Sequence, residues 1–303
     1  MGIINLLENE YELYGVRWKE EPHVIFTDFG DKRLRYWSEE QLLEWHVKWR
    51  DESSKGSSAV PDRMIRTRDG GNAVFDGKHW VTLHDTADIP FGCEEVGRWG
   101  QFIGHLLAAS IKYENVPCTI DGEPALDYEK CLEKLELYAE GNFHSLNISI
   151  AEAKKRIHFA EVLYKKTVRT PRPILEKEIS IINGKRIFHF LFYEGGDSKP
   201  IRGYLPIRNF MLEWLLQTSP LSMKMLLDEI HSVFSLSDDQ GLLLLAEITM
   251  PWELKDCINF LDNSSLEKMV DGMNKYEKLW EDNRLLLKTV TEWYEDTRRK
   301  VAL

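Results

Sequence analysis

Short stretches of alternating hydrophobic and polar positions fill the first two thirds of the chain. Residues 3–14 have the spacing of an amphipathic helix, and residues 23–26 have that of a strand. Residues 73–83 read as two strands joined at Asp76-Gly77, a pair that favours the tight turn of a β-hairpin. This part of the chain is therefore predicted to mix short helices with short strands.

A helix start is predicted at Ser38, because Ser38 and Gln41 have the spacing of a capping box. The helix that it would open has Leu42, Trp45 and Trp49 on one face. Residues 51–61 are rich in Ser and Gly and predict a loop.

A second hairpin is predicted around Asn183-Gly184, which supplies the positive φ angles of a type I′ turn. Its strands would be Glu178–Ile182 and Arg186–Tyr193. The second strand has large apolar side chains on both faces, and burial on both sides explains this pattern. The alternative is an exposed aromatic strand that binds a protein partner through Phe190, Phe192 and Tyr193.

Strand patterns stop after Pro200, and helical patterns follow. Further helices are predicted earlier, at 94–113, 128–138 and 150–167, and then at 209–217, 222–234, 238–249, 252–261 and from 264 almost to the end. The fold class is thus α+β, with hairpins in a domain over residues 1–200 and a helical domain over residues 201–303.

The closing helix has a heptad pattern. One column contains Leu266, Met273, Trp280, Leu287 and Tyr294, and the column beside it contains Met269, Tyr276, Asn283, Val290 and Thr297. This spacing is typical of a coiled-coil seam, so the segment 264–300 is predicted to hold a homo-oligomer together through the first column. The alternative is that the seam packs against the chain's own helices.

Composition and charge restrict the compartment and the partners. The sequence has 303 residues, 43% of them hydrophobic, and a net charge of −11. It shows no secretory signal and no membrane-spanning run, which predicts a cytoplasmic protein with no membrane partner. The negative charge would be repelled by nucleic acid, so no direct nucleic-acid partner is expected.

No common catalytic motif is present in the sequence, and neither a catalytic residue nor a cofactor is predicted. Four cysteines lack the CxxC spacing of a zinc site. His79 and His84 are five positions apart, so on a strand they face opposite sides and do not predict a metal site. The acidic group Asp121, Glu123 and Asp127 is predicted to be a solvated turn.

One permissive pattern favours an enzyme instead. Arg98 and His105 lie two turns apart on a predicted helix, as in HEPN ribonucleases, where the His acts as a general base and the Arg stabilises phosphate. The alternative is a structural helix packed through Trp99 and Phe102.

In overall character the chain resembles the phage-encoded Gabija anti-defence protein. The resemblance lies in its size and acidity, in the hairpin with Phe190 and Phe192, and in the long last helix. It implies an oligomeric, non-enzymatic inhibitor that binds a bacterial nuclease–helicase defence complex and blocks its access to DNA.

Overall fold

The computed structural model describes residues 2–55, 59–113, 116, 120–121, 132–133, 136, 144–254 and 266–301. The chain forms two compact units. The first contains Met1–Thr119 and Ile174–Pro200, and the second contains Ile120–Pro173 and Ile201–Leu303. The two units are interleaved along the sequence, so residues 174–200 fold with the N-terminal part of the chain.

Both units contain helices and strands, and the predicted α+β class is confirmed. The chain begins with α1 (Ile3–Tyr11), β1 (Arg17–Glu20), β2 (Val24–Phe26), β3 (Lys32–Trp37), α2 (Glu40–Ser53), β4 (Ala59–Pro61), β5 (Val74–Phe75), β6 (Trp80–Asp85) and α3 (Val96–Ser110). It continues with β7 (Ile120–Asp121), α4 (His144–Lys166), β8 (Ile174–Leu175), β9 (Gly184–Ile187), β10 (Phe190–Tyr193), β11 (Ile201–Arg202), α5 (Leu205–Gln217), α6 (Pro220–Val233), α7 (Asp239–Thr249) and α8 (Leu266–Val301).

The main sheet of the first unit is antiparallel, with strand order β1-β2-β3-β6-β5. The centre is the β3–β6 pair, in register from Lys32 opposite Asp85 to Trp37 opposite Trp80. Alternation along these strands buries one set of side chains in the core, which includes Leu7, Ile25, Leu34, Val81 and Leu83. The hairpin predicted at Asp76-Gly77 is confirmed as β5 and β6, and Gly77 has a positive φ of 101°.

A smaller sheet contains β4, β10 and β9 in that order. Strand β10 runs parallel to β4, with Leu191 opposite Ala59, and antiparallel to β9. The pairing of β10 with β4 joins segments that are far apart in sequence. It places the β9–β10 hairpin in the first unit, beside β4.

The predicted turn at Asn183-Gly184 is wrong. Residues Ile181–Asn183 form a 3₁₀ turn in which the Ser180 hydroxyl accepts a hydrogen bond from the Ile182 N–H, and Gly184 opens β9 with a φ of −77°. The hairpin instead turns at Phe188, which has a positive φ of 55°. Gly184 is needed for space, because a Cβ there would lie 2.4 Å from the Trp99 ring.

Other predicted boundaries shift by a few residues. Helix α2 has Glu39 at its N-cap, so the capping box at Ser38 does not form as predicted. Helix α1 ends at Tyr11, where Glu12 takes the left-handed conformation. The helices predicted at 128–138 and 252–261 fall mostly outside the described residues.

The long last helix, α8, packs within the second unit against α5, α6 and α7. Its buried side chains include Tyr276, Asn283, Val290 and Thr297 of the second predicted column, together with Leu286, Trp293 and Tyr294. Asn283 accepts a hydrogen bond from Arg208 of α5. The described residues of the second column therefore pack inside the chain.

The four other residues of the predicted oligomerisation column lie beside that buried face. Trp280 and Leu287 are half-buried, and the side chains of Leu266 and Met273 lie outside the described residues. Self-association through this column stays a prediction. Within the part of the chain that the structure describes, no helix is both long and apolar enough to cross a membrane.

Candidate functional site

Asp62, directly after β4, is the centre of a buried ionic cluster in the first unit. One carboxylate oxygen, Oδ1, accepts a hydrogen bond from Arg50 Nε at 2.8 Å, and Oδ2 accepts one from Arg35 at 3.1 Å. Burial alone would raise the pKa of Asp62, but the Arg50 guanidinium, with His84 and Arg35, outweighs burial and holds that pKa below its ordinary value. Asp62 is therefore ionised at neutral pH.

Arg50, on α2, connects Asp62 to the segment that follows β10. Its side chain is fully buried and lies over the Trp49 ring at 4.5 Å. One terminal nitrogen, Nη2, donates to the carbonyl oxygen of Gly196 at 2.8 Å, and Nη1 contacts His46 Nδ1 at 2.7 Å. A single guanidinium thus fixes the helix, the acid and the loop relative to one another.

Two buried histidines complete the cluster without adding charge. Burial, followed by Arg50, lowers the pKa of His46 well below its usual value. Burial also lowers the pKa of His84 to about 4, although Asp62 opposes that change. His84 contacts the Asp62 carbonyl oxygen and the Thr82 hydroxyl at 2.8 Å each. Both imidazoles are neutral at pH 7, so they contribute hydrogen bonds to the cluster and no charge.

The segment after β10 is held closely by this cluster. The N–H of Gly195 donates to Asp62 Oδ1 at 3.0 Å, and the N–H of Gly196 donates to Glu176 Oε1. A Cβ on Gly195 would lie 2.7 Å from the Trp49 ring and 2.8 Å from Arg50. Only glycine fits where the backbone approaches the α2 side chains so closely.

Glu194 stands immediately before these glycines. Its Oε2 lies 3.0 Å from the Arg33 guanidinium of β3, and its backbone N–H donates to the Asn183 carbonyl oxygen at 2.9 Å. The other carboxylate oxygen, Oε1, is buried and has no hydrogen-bond partner among the described residues. Glu194 therefore has one oxygen available for a ligand.

Tyr193 joins Glu194 to two further polar residues. Its buried hydroxyl donates to the carbonyl oxygen of Glu178 at 3.3 Å, and it also hydrogen-bonds the Asn183 side chain. Asn183 is half-buried, and Glu178 is exposed. The backbone of Glu178 and the side chain of Asn183 are thereby tied to the end of β10, directly before Glu194.

Glu176 is the remaining acid of this region. It is almost fully buried, and burial raises its pKa to about 7, against the opposing effects of Arg50 and the Gly196 N–H. Its Oε2 has no hydrogen-bond partner within the described part of the chain. Glu176 thus changes charge near neutral pH.

The oxygen donors of this region fit a hard divalent cation. Asn183 and Glu194 offer an amide and a carboxylate, and Glu194 Oε1 is unpaired among the described residues. Mg²⁺ is commonly bound by one or two such groups and completed by phosphate oxygens and water. The described residues contain no cluster of three or more His, Cys, Asp or Glu that could hold a metal by themselves.

The predicted partner-binding residues are placed unequally. Tyr193 is fully buried and Phe192 is 6% exposed, as expected for a buried strand, whereas Phe190 is 38% exposed. Binding of a protein partner through this strand stays a prediction, and Phe190 is the one of the three whose side chain reaches the surface.

The HEPN interpretation of Arg98 and His105 is wrong. Both residues are half-buried on α3, where Arg98 forms an ion pair with Glu95 of the preceding turn at 3.4 Å. The helix packs through Trp99 and Phe102, which are fully buried. The acidic turn predicted at Glu123 and Asp127 lies outside the described residues.

The sequence did contain a signal for the site. Asn183 follows Glu178 by five positions, and Glu194 comes directly after the second strand of the hairpin. Because Glu178–Ile182 was predicted to be a strand, this spacing was not recognised as that of a site. Asp62 and Arg50 had no such signal, because their connection to Gly195 and Gly196 spans more than a hundred residues.

Comparisons with known proteins show the fold. An aminoglycoside phosphotransferase from Alicyclobacillus acidocaldarius matches with a TM-score of 0.68 at 10% identity, covering 98% of this chain and 97% of that chain. The AMP-bound spectinomycin phosphotransferase matches with a TM-score of 0.56 at 10% identity, covering 95% and 96%. Its complex with ADP and spectinomycin matches with a TM-score of 0.54 at 9% identity, covering 96% and 97%. No protein-family model and no curated protein matches the sequence.

These matches correct the functional predictions. The resemblance to the Gabija anti-defence protein is wrong, and so are the predicted phage inhibitor and the expectation that the chain is not an enzyme, because the structures that it matches are phosphotransferases. Size, acidity and a long last helix are shared by many unrelated proteins and did not identify the fold. The chain has the fold of these aminoglycoside phosphotransferases.

Proposed function

We propose that this protein is a metal-dependent phosphotransferase that moves the terminal phosphoryl group of a nucleoside triphosphate to a hydroxyl group. The observation that carries the proposal is the joining of Asn183 to Glu194 by a backbone hydrogen bond, with Tyr193 bonding both the Asn183 side chain and the Glu178 backbone carbonyl. The fold supports it, since the spectinomycin phosphotransferase of that fold binds AMP and ADP.

The spacing of these residues agrees with the general plan of phosphoryl transfer by kinases. There a catalytic-loop carboxylate accepts the proton of the hydroxyl, an Asn five positions on binds the metal, and a second carboxylate elsewhere in the chain also binds the metal. Here Glu178, Asn183 and Glu194 stand in that order. Both acids are Glu where the plan has Asp, so each carboxylate has one more methylene to place.

In the proposed reaction, the hydroxyl oxygen of the acceptor forms a bond to the γ-phosphorus, and the bond from that phosphorus to the β–γ bridging oxygen breaks. Glu178, the exposed acid, accepts the hydroxyl proton and releases it to solvent, while the nucleoside diphosphate leaves with the electron pair. A divalent cation held by Asn183 and Glu194 would neutralise the phosphate charge. Arg33 faces Glu194 at 3.0 Å and offers the planar donors that suit phosphate oxygens.

One part of the kinase plan is missing from this sequence. The connection between β1 and β2 is Glu21-Pro22-His23, which contains no glycine. A glycine-rich loop that covers the phosphates is therefore not available between these strands. The proposal rests on the carboxylates and the amide instead.

The acceptor that we propose is a small hydroxyl-bearing cation. The net charge of −11 favours the approach of positively charged molecules through the field of the whole protein. The two matched enzymes are named for aminoglycosides and spectinomycin, and amino groups of such compounds are protonated at neutral pH.

The test is transfer of labelled phosphate from ATP to a panel of aminoglycosides, spectinomycin and simple amino alcohols, in the presence of Mg²⁺. Turnover is expected, and Glu178→Gln or Glu194→Gln should each lower kcat by roughly 10²-fold or more. Glu44→Gln is the matched control, because Glu44 is an exposed acid on α2 that takes no part in the proposed site. Unchanged turnover in both site variants would contradict the proposed roles.

Nucleotide binding is measured separately, because the nucleotide site can be tested even if the panel lacks the true acceptor. Isothermal titration with ADP should show binding that requires Mg²⁺ in the native protein and is weakened in Glu194→Gln. Binding that ignores both Mg²⁺ and the variant would overturn the assignment of Asn183 and Glu194.

A further inference from the structure

We propose that Glu176 is a positioning residue that sets the Gly195–Gly196 loop, and with it Glu194, and that its protonation loosens this loop. The inference rests on the proposed function, because Glu194 is the residue whose placement matters there. Glu176 itself is buried and makes no contact with the proposed base, Glu178, that the structure shows.

The geometry connects Glu176 to the loop by one hydrogen bond. Its Oε1 accepts from the Gly196 N–H, and the carbonyl oxygen of the same residue accepts from Arg50 at 2.8 Å. The N–H of Gly195 is held by Asp62 at 3.0 Å. Both peptide N–H groups after Glu194 are therefore held by carboxylates. Of these two carboxylates, Glu176 is the one that changes charge near pH 7.

The other oxygen of Glu176 is what makes it sensitive. Glu176 lines a small pocket between α2 and α3 together with Trp45, Trp49 and Tyr113. Three polar atoms of this pocket, Glu176 Oε2, Trp45 Nε1 and the Tyr113 hydroxyl, are buried without a hydrogen-bond partner among the described residues. A carboxylate with one unsatisfied oxygen in an aromatic pocket is disfavoured as an anion.

Charged groups from every neighbouring element act on Glu176. Arg50 from α2 and Arg35 from β3 favour its ionised form, as does the Gly196 N–H, whereas Asp62 disfavours it. The buried Tyr193 of β10 and Tyr113 after α3 stay neutral, because burial raises the pKa of each hydroxyl. Burial has the largest effect, and the pKa of Glu176 rises to about 7.

Protonation has a defined effect on the loop. The ionised carboxylate accepts a charge-assisted hydrogen bond from Gly196, whereas the neutral acid accepts a weaker one. The difference corresponds to about tenfold in the equilibrium that opens the loop. In this opening Glu176 stays buried and only its bond to Gly196 breaks, so the loop is held more firmly above pH 7 and opens more often below it. Unfolding of the whole protein, which also exposes Glu176 to water, has the opposite pH dependence.

The first test does not need an activity. Hydrogen exchange of the Gly195–Lys199 backbone is measured by mass spectrometry between pH 6 and 8, with the intrinsic pH dependence of exchange removed. Protection in the native protein should rise about tenfold across this range, and in Glu176→Gln it should stay constant. Constant protection in the native protein would overturn the inference, whether or not phosphotransfer is found.

The second test uses the reaction. The pH profile of kcat should lose its acidic limb near pH 7 in Glu176→Gln, with kcat lowered by about tenfold above pH 8 and the Mg²⁺ concentration for half-maximal rate raised. Glu247→Gln is the matched control, a buried Glu of the second unit whose pKa burial also raises. An acidic limb that persists in Glu176→Gln, or that disappears in Glu247→Gln as well, would contradict the positioning role.

The two tests separate the two ideas. If exchange in the loop responds to pH and to Glu176→Gln but no phosphotransfer occurs, the inference about Glu176 stands and the proposed function falls. If phosphotransfer occurs and exchange does not respond, the proposed function stands and the inference falls.

Discussion

The backbone N–H of Glu194 donates to the carbonyl oxygen of Asn183 across 2.9 Å, so the residues that enclose the β9–β10 hairpin are joined to each other. Because this bond closes the hairpin, the side chains of Asn183 and Glu194 are attached to backbone that is held in place. Sites built on rigid elements hold their geometry better than sites on free loops.

Replacing Asp62 with Asn should strongly destabilise the protein. The change leaves the fully buried Arg50 and the half-buried Arg35 without the carboxylate that they share, and removal of one partner from a buried ion pair costs about 3–5 kcal/mol. Urea unfolding measures the loss. Asp69→Asn is the control, because Asp69 is largely exposed, and its free energy of unfolding should change by less than about 0.5 kcal/mol.

Replacing Glu176 with Gln should stabilise the protein in a pH-dependent manner. Since the pKa of Glu176 is raised from 4.5 to about 7 in the folded state, its contribution to stability is complete below pH 4.5 and is lost as the pH rises through 7. Gln does not lose that contribution. The free energy of unfolding of the variant should exceed that of the native protein by nearly zero at pH 4.5 and by about 3 kcal/mol at pH 8.

His84 changes stability in the opposite direction over nearly the same range. Its pKa is lowered from 6.5 to about 4, so its contribution is present above pH 6.5 and is lost as the pH falls through 4. In Glu176→Gln this dependence is no longer opposed, and stability should fall more steeply from pH 6.5 to pH 4 than in the native protein. An equal stability gain at pH 4.5 and pH 8 would argue against the titration of Glu176.

Substituting Gly195 with Ala should disturb the site more than its size suggests. The added methyl would meet the Trp49 ring at 2.7 Å, and overpacking of this kind costs about 1–3 kcal/mol. Mg²⁺-dependent ADP binding should weaken as well, since Glu194 is the adjacent residue. Gly2→Ala serves as the control because its Cβ would meet nothing within 4 Å in the described structure.

The turn at Phe188 can be checked by substitution. Phe188 has a φ of 55° and is 87% exposed, so Asn, which tolerates the left-handed region, should raise the free energy of unfolding by about 1 kcal/mol. If the hairpin instead turned at Asn183-Gly184, position 188 would be in a strand and Asn would lower stability. Thermal melts of Phe188→Asn beside the native protein decide between the two.

Two aromatic residues of β10 separate core from surface. Phe192→Ala should lower the free energy of unfolding by about 3–5 kcal/mol, because Phe192 is 6% exposed. Phe190→Ala should lower it by less than about 1 kcal/mol and is the variant suited to test a protein partner. Similar melting temperatures for both variants would contradict the burial of Phe192.

Local patterns predicted much of the fold and little of the site. The Asp76-Gly77 hairpin, α3 and the helices after Pro200 follow from signals within a few residues of each other. The Asn183-Gly184 signal was equally strong, but tertiary packing overrode it, since Gly184 is placed where its backbone approaches Trp99.

The cluster at Asp62 could not be predicted for a different reason. Arg50 and Asp62 are close in sequence, yet both bond Gly195 or Gly196. These glycines follow in the chain after residues 120–173, which belong to the second unit. Single-sequence patterns carry no information on such long-range contacts. Only the spacing from Glu178 to Asn183 and Glu194 was readable in advance.

The two edges of the main sheet are poorly suited to pairing with a strand of another chain. Strand β1 ends the sheet with the exposed side chains of Arg17, Lys19 and Glu20, and β5 ends it with two residues, Val74–Phe75. Charged or very short edges are poor templates for an incoming strand. At high concentration this sheet should resist growth into edge-to-edge aggregates, and we expect no other chain to add a strand to it.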